Sequence, residues 1–434
     1  MRQRIASHTY TEGGIRLFLQ LVLDAACSLR GASAVMGLLG SLLPDLERTP
    51  VANTGQMWLL RIGLFELTRP KEAADDWVWI VDHTVQIGTV KCLLIVGCRL
   101  SFWQAQRRPL EHRDLQVLTL EPVEKSDGAT VYRQCEETRR RTGIVPRAIV
   151  SDEGTDLLGG IKAFAARHAE TVGSLDIAHQ AAKLLKRELE GDARWATFLS
   201  QAGGAKQRLA QTPLAHLLPP TPRSKARYMN LEELVTWGHN ALHYLDDPHP
   251  VAGELLDRDA LRAKLGWVAD YRDALAEWRQ VMATISATLQ YVRHEGYHQG
   301  AVEAMRPLLA SSSTLPMSSR LATKLLAFVE SQSALAREGE RLIGSSECLE
   351  SLIGKGKRLE GQQSKSGFTK MILGMAAAVV EPTKEYLTEA LAQVKTQDVL
   401  TWCQRHLGFS VQSQRRQAFA KRRQALAIEG TETG

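Results

Sequence analysis

The pattern of hydrophobic positions changes twice along the chain. Up to about residue 75, apolar residues recur at mixed three- and four-residue spacing, which predicts two or three short helices. From residue 76, short continuous apolar runs such as WVWIVD predict strands that are covered on both faces. Beyond residue 185, helical spacing returns and persists through most of the remaining chain. The pattern therefore predicts an α/β region enclosed between helical segments.

The middle region predicts a mixed five-stranded sheet. Its strands are WVWIVD, GTVKCLLIVGCRL, LQVLTLEPV, RAIVS and TVGSL. The first three follow one another directly, and helices separate the last three. A uniform βαβ repeat would alternate throughout, so this order indicates a sheet that is not all-parallel.

These changes predict four segments. They are residues 1–75, a helical DNA-binding domain of helix-turn-helix type; 76–185, the first part of the α/β core; 186–340, an all-helical insertion; and 341–434, the rest of the core with a basic tail. In the first segment, the second half of the helix-turn-helix would present Asn53, Thr54, Gln56 and Arg61 to DNA. A helical cap packed on the main domain is an equally good interpretation.

Composition and charge narrow the function only slightly. The chain has 434 residues and a net charge of +6, which is compatible with a polyanionic partner but dilute. Six cysteines without a CxxC pair predict neither a zinc site nor a disulfide framework, and hence a reducing cytoplasm. The longest apolar segment, MILGMAAAVV, is too short to span a membrane. GxxxxGK[ST], GxSxG and HExxH are absent, which excludes the common nucleotide hydrolases, serine hydrolases and zinc proteases.

Two carboxylates follow predicted strands directly. Asp82 closes the first strand and Asp152 closes the fourth. Carboxylates that converge at a sheet edge repel each other unless a cation lies between them. Mg²⁺ prefers such oxygen ligands, and a pair of ions can assist in-line phosphoryl displacement. Glu153 and Asp156 are rivals for the second position, but alternation turns Glu153 away and Asp156 suits a helix start better.

A third acid is expected far along the chain. Glu350 lies in a predicted helix, ECLESLIGKGKRL, and Lys357 follows two turns later on the same face. Glu347 and Glu295 are the alternatives, and both lack a basic partner at that spacing.

The order Asp82, Asp152, long helical interval, Glu350 resembles the DDE transposase superfamily. DHTVQIG, PRAIVSDEGTDLLGGIKAF, DIAH and ECLESLIGKGKRL look like segments of bacterial insertion-sequence transposases. The resemblance implies an α/β fold in which a ribonuclease H-like mixed five-stranded sheet is interrupted by a long all-helical insertion and preceded by a helical segment. It also implies that the three acids bind two Mg²⁺ ions, for which Mn²⁺ can substitute.

The same resemblance implies an activity and partners. We expect cleavage of transposon ends and strand transfer into target DNA by a cytoplasmic, nucleoid-associated homodimer. A nuclease-only protein, or a non-catalytic DNA-binding protein derived from a transposase, is the alternative.

Residues for DNA contact are predicted near the third acid and in the tail. The candidates are Lys355, Lys357, Arg358, His179, Arg415, Arg416, Lys421 and Arg422. Alternatively, the basic residues that follow one another in these runs lie on a solvated helix face and do not contact DNA. His179 could instead be a structural partner of Asp176. Three tryptophans of the helical insertion could stack on bases or belong to its core, namely Trp237, Trp267 and Trp278.

Overall fold

The computed structural model describes residues 5, 9–40, 42, 48–83, 90–221, 231–247, 258–361, 368–407, 417, 419 and 420. The chain forms two compact units. The first contains Met1–Gly173 and Ser346–Gly434, and the second contains Ser174–Ser345. The two DNA-contact pairs of the tail, Arg415 with Arg416 and Lys421 with Arg422, lie outside the described residues.

The first unit opens with three helices and continues into the sheet. The helices are α1 (Glu12–Leu23), α2 (Leu29–Gly40) and α3 (Ala52–Thr68). There follow β1 (Trp77–His83), β2 (Lys91–Arg99), α4 (Leu100–Gln106), a 3₁₀ turn (His112–Asp114), β3 (Gln116–Val123), α5 (Gly128–Thr142), β4 (Ala148–Ser151), α6 (Thr155–Arg167) and β5 (Val172–Leu175).

The second unit is built from helices, and the chain then completes the first unit. The helices of the second unit are α7 (Ile177–Glu190), α8 (Ala193–Leu209), α9 (Leu231–Asp246), α10 (Arg258–Leu265), α11 (Arg272–Glu295), α12 (Ala301–Ala310) and α13 (Pro316–Ser333), with 3₁₀ turns at Ala215–Leu217 and Gly266–Tyr271. The first unit resumes with α14 (Glu347–Glu360), a 3₁₀ turn (Lys370–Ile372), α15 (Leu373–Ala377), α16 (Lys384–Gln393) and α17 (Thr396–Leu407).

The five strands form one mixed sheet in the order β3-β2-β1-β4-β5. β1 is antiparallel to β2 and parallel to β4, and β2 is antiparallel to β3. This confirms the mixed five-stranded α/β sheet that the sequence predicts. The continuous apolar run WVWIV forms β1 because this strand has a neighbour on each side and is covered on both faces.

One face of the sheet packs against α5 and α6. Alternate residues of β1, Trp77, Trp79 and Val81, point to this face. They join a fully buried cluster, to which the two helices contribute Val131, Cys135, Leu157, Ile161 and Phe164.

The opposite face carries the other set of β1 side chains. Val78, Ile80 and Asp82 alternate with the buried row and therefore point the other way. In β2, Cys98 is the cross-strand partner of Val78, so it lies on this face as well. Burial raises the pKa of the Cys98 thiol well above its ordinary value, and the Cys348 thiol of α14 adds to the rise. The first turn of α14 therefore lies on the face from which Asp82 projects.

The N-terminal helices pack against other helices of the first unit. α3 contacts α2, α15 and α16 and is buried on nearly every side. Gln56 is buried, and its amide donates to the sulfur of Met371 (3.1 Å). Arg61 donates to the backbone carbonyl of Val394 (2.6 Å) at the end of α16. Of the four side chains predicted to face DNA, Gln56 and Arg61 are thus held inside the unit, whereas Asn53 is exposed and Thr54 is half-buried.

The core of the second unit is rich in aromatic rings. Phe198 lies within 6.3 Å, ring centre to ring centre, of Trp237, Trp267 and Trp278. The three indole N–H groups donate to the Leu217 carbonyl, the Lys264 carbonyl and the Asp192 carboxylate respectively. Trp278 is buried, whereas Trp237 and Trp267 are half-buried members of this aromatic cluster. Among the described helices, none combines the length and apolar character needed to cross a bilayer.

Candidate metal centre

The parallel pairing of β1 with β4 brings two carboxylates together. Val81 is the partner of Ser151 in this pairing, which is the last of the ladder. One residue further along each strand, Asp82 and Asp152 follow at the same end of the sheet. Asp82 alternates with Val81 along β1 and is therefore directed to the face on which α14 packs, whereas Asp152 lies one residue beyond the end of β4. Both are half-buried.

Backbone N–H groups fix the orientation of each carboxylate. Asp82 Oδ1 accepts a hydrogen bond from the His83 backbone N–H (2.7 Å). Asp152 Oδ1 accepts one from the Gly154 backbone N–H (2.8 Å). Each carboxylate is thus held by a backbone donor that lies one or two residues further along the chain.

Glu350 lies in the first turn of α14, which packs against β1. Its backbone N–H donates to the carbonyl of Ser346 (3.2 Å). The apolar face of the helix is buried and consists of Cys348, Leu349, Leu352, Ile353, Gly356 and Leu359. Glu350, Gly354 and Lys357 are exposed and follow one another at helical spacing. The acid and the lysine therefore share one exposed stripe of α14.

The donor set suits a hard divalent cation. Asp82, near the end of β1, and Asp152, directly after β4, supply carboxylate oxygens, and Glu350 is a third carboxylate on the helix that packs against β1. Oxygen ligands of this kind are those that Mg²⁺ prefers, and a cation offsets the repulsion between adjacent anions. The chemistry of these side chains agrees with a hard divalent cation, and their role as its ligands stays a prediction.

The alternative acids lie in different surroundings. Asp156 is in the first turn of α6, and its Oδ2 is 3.8 Å from His83 Nδ1. Glu347 shares the first turn of α14 with Glu350 but is half-buried. Glu295 ends α11 in the second unit, where its Oε2 is 3.6 Å from Arg341 Nη2.

The basic residues of α14 differ in what they contact. Lys357 is exposed on the stripe that contains Glu350. Lys355 is half-buried, and its Nζ donates to His112 Nε2 (2.7 Å). Arg358 donates to the backbone carbonyl of Val22 (3.0 Å), near the end of α1. Arg358 therefore satisfies a helix end, and Lys357 is the one of the three that faces solvent.

His179, in the second unit, is held by its neighbour Asp176. Asp176 directly follows β5, is 1% exposed and caps α7 by accepting from the Ala178 backbone N–H (3.0 Å). Its second oxygen contacts His179 Nδ1. A carboxylate at this nitrogen fixes the orientation of the ring. The pair thus has the local geometry of a helix cap with a hydrogen-bonded histidine.

The sequence analysis did not identify two residues beside the carboxylates. His83 is the next member of the β1 row that faces α5 and α6, and its Nε2 is 2.9 Å from Ser126 Oγ. Strand alternation in the sequence would have predicted that the His83 side chain points to the face of the sheet opposite Asp82. Nothing in the local sequence signals Ser126, which reaches the histidine only because the sheet brings the end of β1 and the start of α5 together.

No protein-family model matches the sequence, and no curated protein matches it. Among solved structures, the chain is similar to the Drosophila P element transposase strand transfer complex. The identity is 12%, the TM-score is 0.41, and the alignment covers 88% of this chain and 94% of that chain.

Proposed function

We propose that this protein is a metal-dependent DNA transposase, which cleaves the ends of a mobile DNA element and joins them to target DNA. The observation that carries the proposal is the pairing of Val81 with Ser151 in two adjacent parallel strands, because Asp82 and Asp152 directly follow these residues. α14, which bears Glu350, packs on the same strand β1. Adjacent carboxylates at a sheet edge are ligands of the kind that metal-assisted phosphoryl transfer uses.

Asp82, Asp152 and Glu350 would bind Mg²⁺ or Mn²⁺. Such ions, when bound, activate a water or a 3′-hydroxyl and neutralise charge on the scissile phosphate. The protein itself holds the carboxylates in place through the backbone N–H groups of His83 and Gly154. Water and then the DNA 3′-hydroxyl are the nucleophiles, so no nucleophilic side chain is required.

DNA is the proposed partner, and Lys357 is the described residue best placed to contact its backbone. Lys357 lies about 10 Å along the helix from Glu350 on the same exposed stripe. A lysine there can neutralise a phosphate next to the cleaved bond. Coordinated cutting of two ends calls for two active sites, so we propose a homodimer on DNA. Light scattering of the DNA-bound protein tests this state.

The test uses a linear fragment that carries the DNA flanking the coding sequence, together with a target plasmid. With Mg²⁺ or Mn²⁺, the purified protein is expected to cut at the fragment ends and to join them to the plasmid. Asp82→Asn, Asp152→Asn and Glu350→Gln should each reduce cleavage by more than the roughly 10–100-fold that outer partners of metal ligands contribute. Asp75→Asn is the control, because Asp75 is exposed and precedes the opposite end of β1.

The products separate the proposal from its alternatives. Cleavage without joining would indicate a nuclease, and binding without cleavage would indicate a non-catalytic DNA-binding protein. Cleavage that persists in the Asp82 and Asp152 variants would remove the carboxylate pair from the mechanism.

A further inference from the structure

Three polar side chains meet on the face of the sheet opposite Asp82. His83 is the last residue of β1, Ser126 directly precedes the Asp127 cap of α5, and Asp156 lies in the first turn of α6. His83 Nε2 is 2.9 Å from Ser126 Oγ, and His83 Nδ1 is 3.8 Å from Asp156 Oδ2. The histidine side chain is 12% exposed. The central strand is thus fastened at its end to the starts of both helices.

Asp156 provides a charged anchor in this group. Burial would raise the pKa of its carboxyl, but the hydrogen bond from Ser126 and the nearby His83 ring lower it below its ordinary value. Its Oδ1 also accepts from the Leu157 backbone N–H (3.0 Å). An ionised aspartate in the first turn of a helix is further stabilised by the helix dipole.

The group is linked through the backbone to both candidate metal ligands. The His83 N–H that orients Asp82 belongs to the residue whose ring is clamped by Ser126 and Asp156. On the second side, Gly154 donates to Asp152 and leads into Asp156. A Cβ at Gly154 would lie 2.9 Å from Asp152 Oδ1 and 3.1 Å from Asp156 Oδ1. A shift of either His83 or Asp156 would therefore turn one of the two N–H donors.

A buried histidine bonded to an acid is not in itself functional, and the same layer of the first unit contains a comparison. His168 Nε2 is 2.6 Å from Glu136 Oε1, and the pair joins the end of α6 to α5. His168 is 17% exposed, close to the value for His83. Neither residue of this pair adjoins Asp82 or Asp152. The two histidines thus have similar packing and differ in their link to the carboxylates.

We propose that His83, Ser126 and Asp156 are positioning residues that set the relative orientation of Asp82 and Asp152 for binding a divalent cation. This inference rests on the proposed function, because it presupposes that these two carboxylates bind the ion. It predicts that damage to the group weakens metal binding beyond any loss of fold stability. Outer partners of metal ligands commonly contribute about 10–100-fold in metal affinity.

The test measures Mn²⁺ binding to the full chain by electron paramagnetic resonance. Only the binding that is lost in the Asp82→Asn variant is assigned to the candidate site. His83→Ala should raise the half-saturating Mn²⁺ concentration about 10-fold. His83→Gln should recover part of the affinity, since its amide reaches the position of Nε2. His168→Ala should leave Mn²⁺ affinity unchanged while lowering the unfolding temperature about as much as His83→Ala does.

A second variant keeps the test decisive if His83→Ala does not fold. Asp156→Asn preserves the size of the side chain and should also raise the half-saturating Mn²⁺ concentration. Wild-type affinity in both His83→Gln and Asp156→Asn would overturn the inference and leave the proposed function standing. If Asp82→Asn and the wild type bind Mn²⁺ equally, the proposed function fails and the inference fails with it.

Discussion

The carboxylate pair should destabilise the protein when no metal is bound. Asp82 and Asp152 follow paired positions of adjacent parallel strands, and each accepts a hydrogen bond from a backbone N–H. Asp82→Asn removes one of the two charges. The asparagine carbonyl can still accept the hydrogen bond from the His83 N–H, so the local backbone contact is kept. We therefore expect the variant to unfold at a higher temperature than the wild type in EDTA.

The size of this effect follows from the strand spacing. Neighbouring strands are about 4.8 Å apart, so the two charges lie at about 5 Å or somewhat more. Two unit charges at about 5 Å repel by about 1–3 kcal/mol for effective dielectric constants between about 80 and 20. Both side chains remain partly exposed to solvent, which screens the charges and favours the lower end of this energy range. A gain of about 1 kcal/mol corresponds to about 2–4 °C in a domain of about 150–250 residues.

A divalent cation should reverse the order of the unfolding temperatures, so that the wild type becomes more stable than Asp82→Asn. Ligand that binds only the folded state raises stability with its concentration. Calorimetric unfolding across a Mg²⁺ or Mn²⁺ titration should show a large upward shift for the wild type and a small one for Asp82→Asn. The two curves of unfolding temperature against metal concentration are therefore expected to cross.

The control separates this local effect from a change in net charge. Asp75→Asn removes the same charge from an exposed position before β1. It should leave both the unfolding temperature in EDTA and the metal-induced shift near the wild-type values. If Asp82→Asn is destabilised in EDTA and keeps the full metal shift, the two carboxylates neither repel each other nor share an ion, and the reasoning is wrong.

Three further predictions concern the fold of the first unit. Gly354→Ala should raise the free energy of unfolding by up to about 1 kcal/mol. The Cβ that alanine adds would have no described atom within 4 Å apart from the neighbouring helix backbone. Gly63→Ala should lower it by about 1–3 kcal/mol or more, because its Cβ would lie 1.9 Å from the Leu373 carbonyl oxygen. Urea unfolding compares the two, and equal effects would contradict the packing. Burial raises the pKa of Glu360 from 4.5 to about 7 despite hydrogen bonds from Thr369, so the folded state retains the proton longer and stability should fall as pH rises between these values. Glu360→Gln should remove this dependence. The stability that the variant gains over the wild type should therefore be larger at pH 8 than at pH 4, and parallel pH profiles of the two proteins would contradict the prediction.

The sheet could be predicted because its strands have an unambiguous pattern. Runs such as WVWIV have no polar interruption, and a strand buried on both faces is what such a run forms. Asp82 and Asp152 stand out for the same reason, since a charge after such a run marks the edge of the sheet. What the sequence could not give is the register. Val81 pairs with Ser151, which lies far along the chain, and no local pattern in either strand specifies this alignment.

The N-terminal helices show where local pattern is insufficient. α3 has polar residues that resemble a recognition surface, but Gln56 and Arg61 are held by partners more than three hundred positions later in the chain. Arg358 is a similar case, because a cation in a basic run satisfies a carbonyl of α1 instead. Polar groups that cap distant helix ends cannot be distinguished by sequence from those that face a ligand.

The end of β1 is a place where one strand can serve packing and chemistry at once. β1 lies between β2 and β4, so its backbone is hydrogen-bonded on both sides up to the last residues. Because side chains alternate, Asp82 and His83 point to opposite faces although they are adjacent. His83 can therefore be clamped among the helices without occupying the space in which Asp82 would bind an ion. Because β1 is held between two neighbouring strands, Asp82 cannot move away from Asp152 to relieve their repulsion, as it could if it lay in a loop. The crossing of the two metal titrations tests that argument directly, since carboxylates that were free to separate would show no gain of stability when one is neutralised.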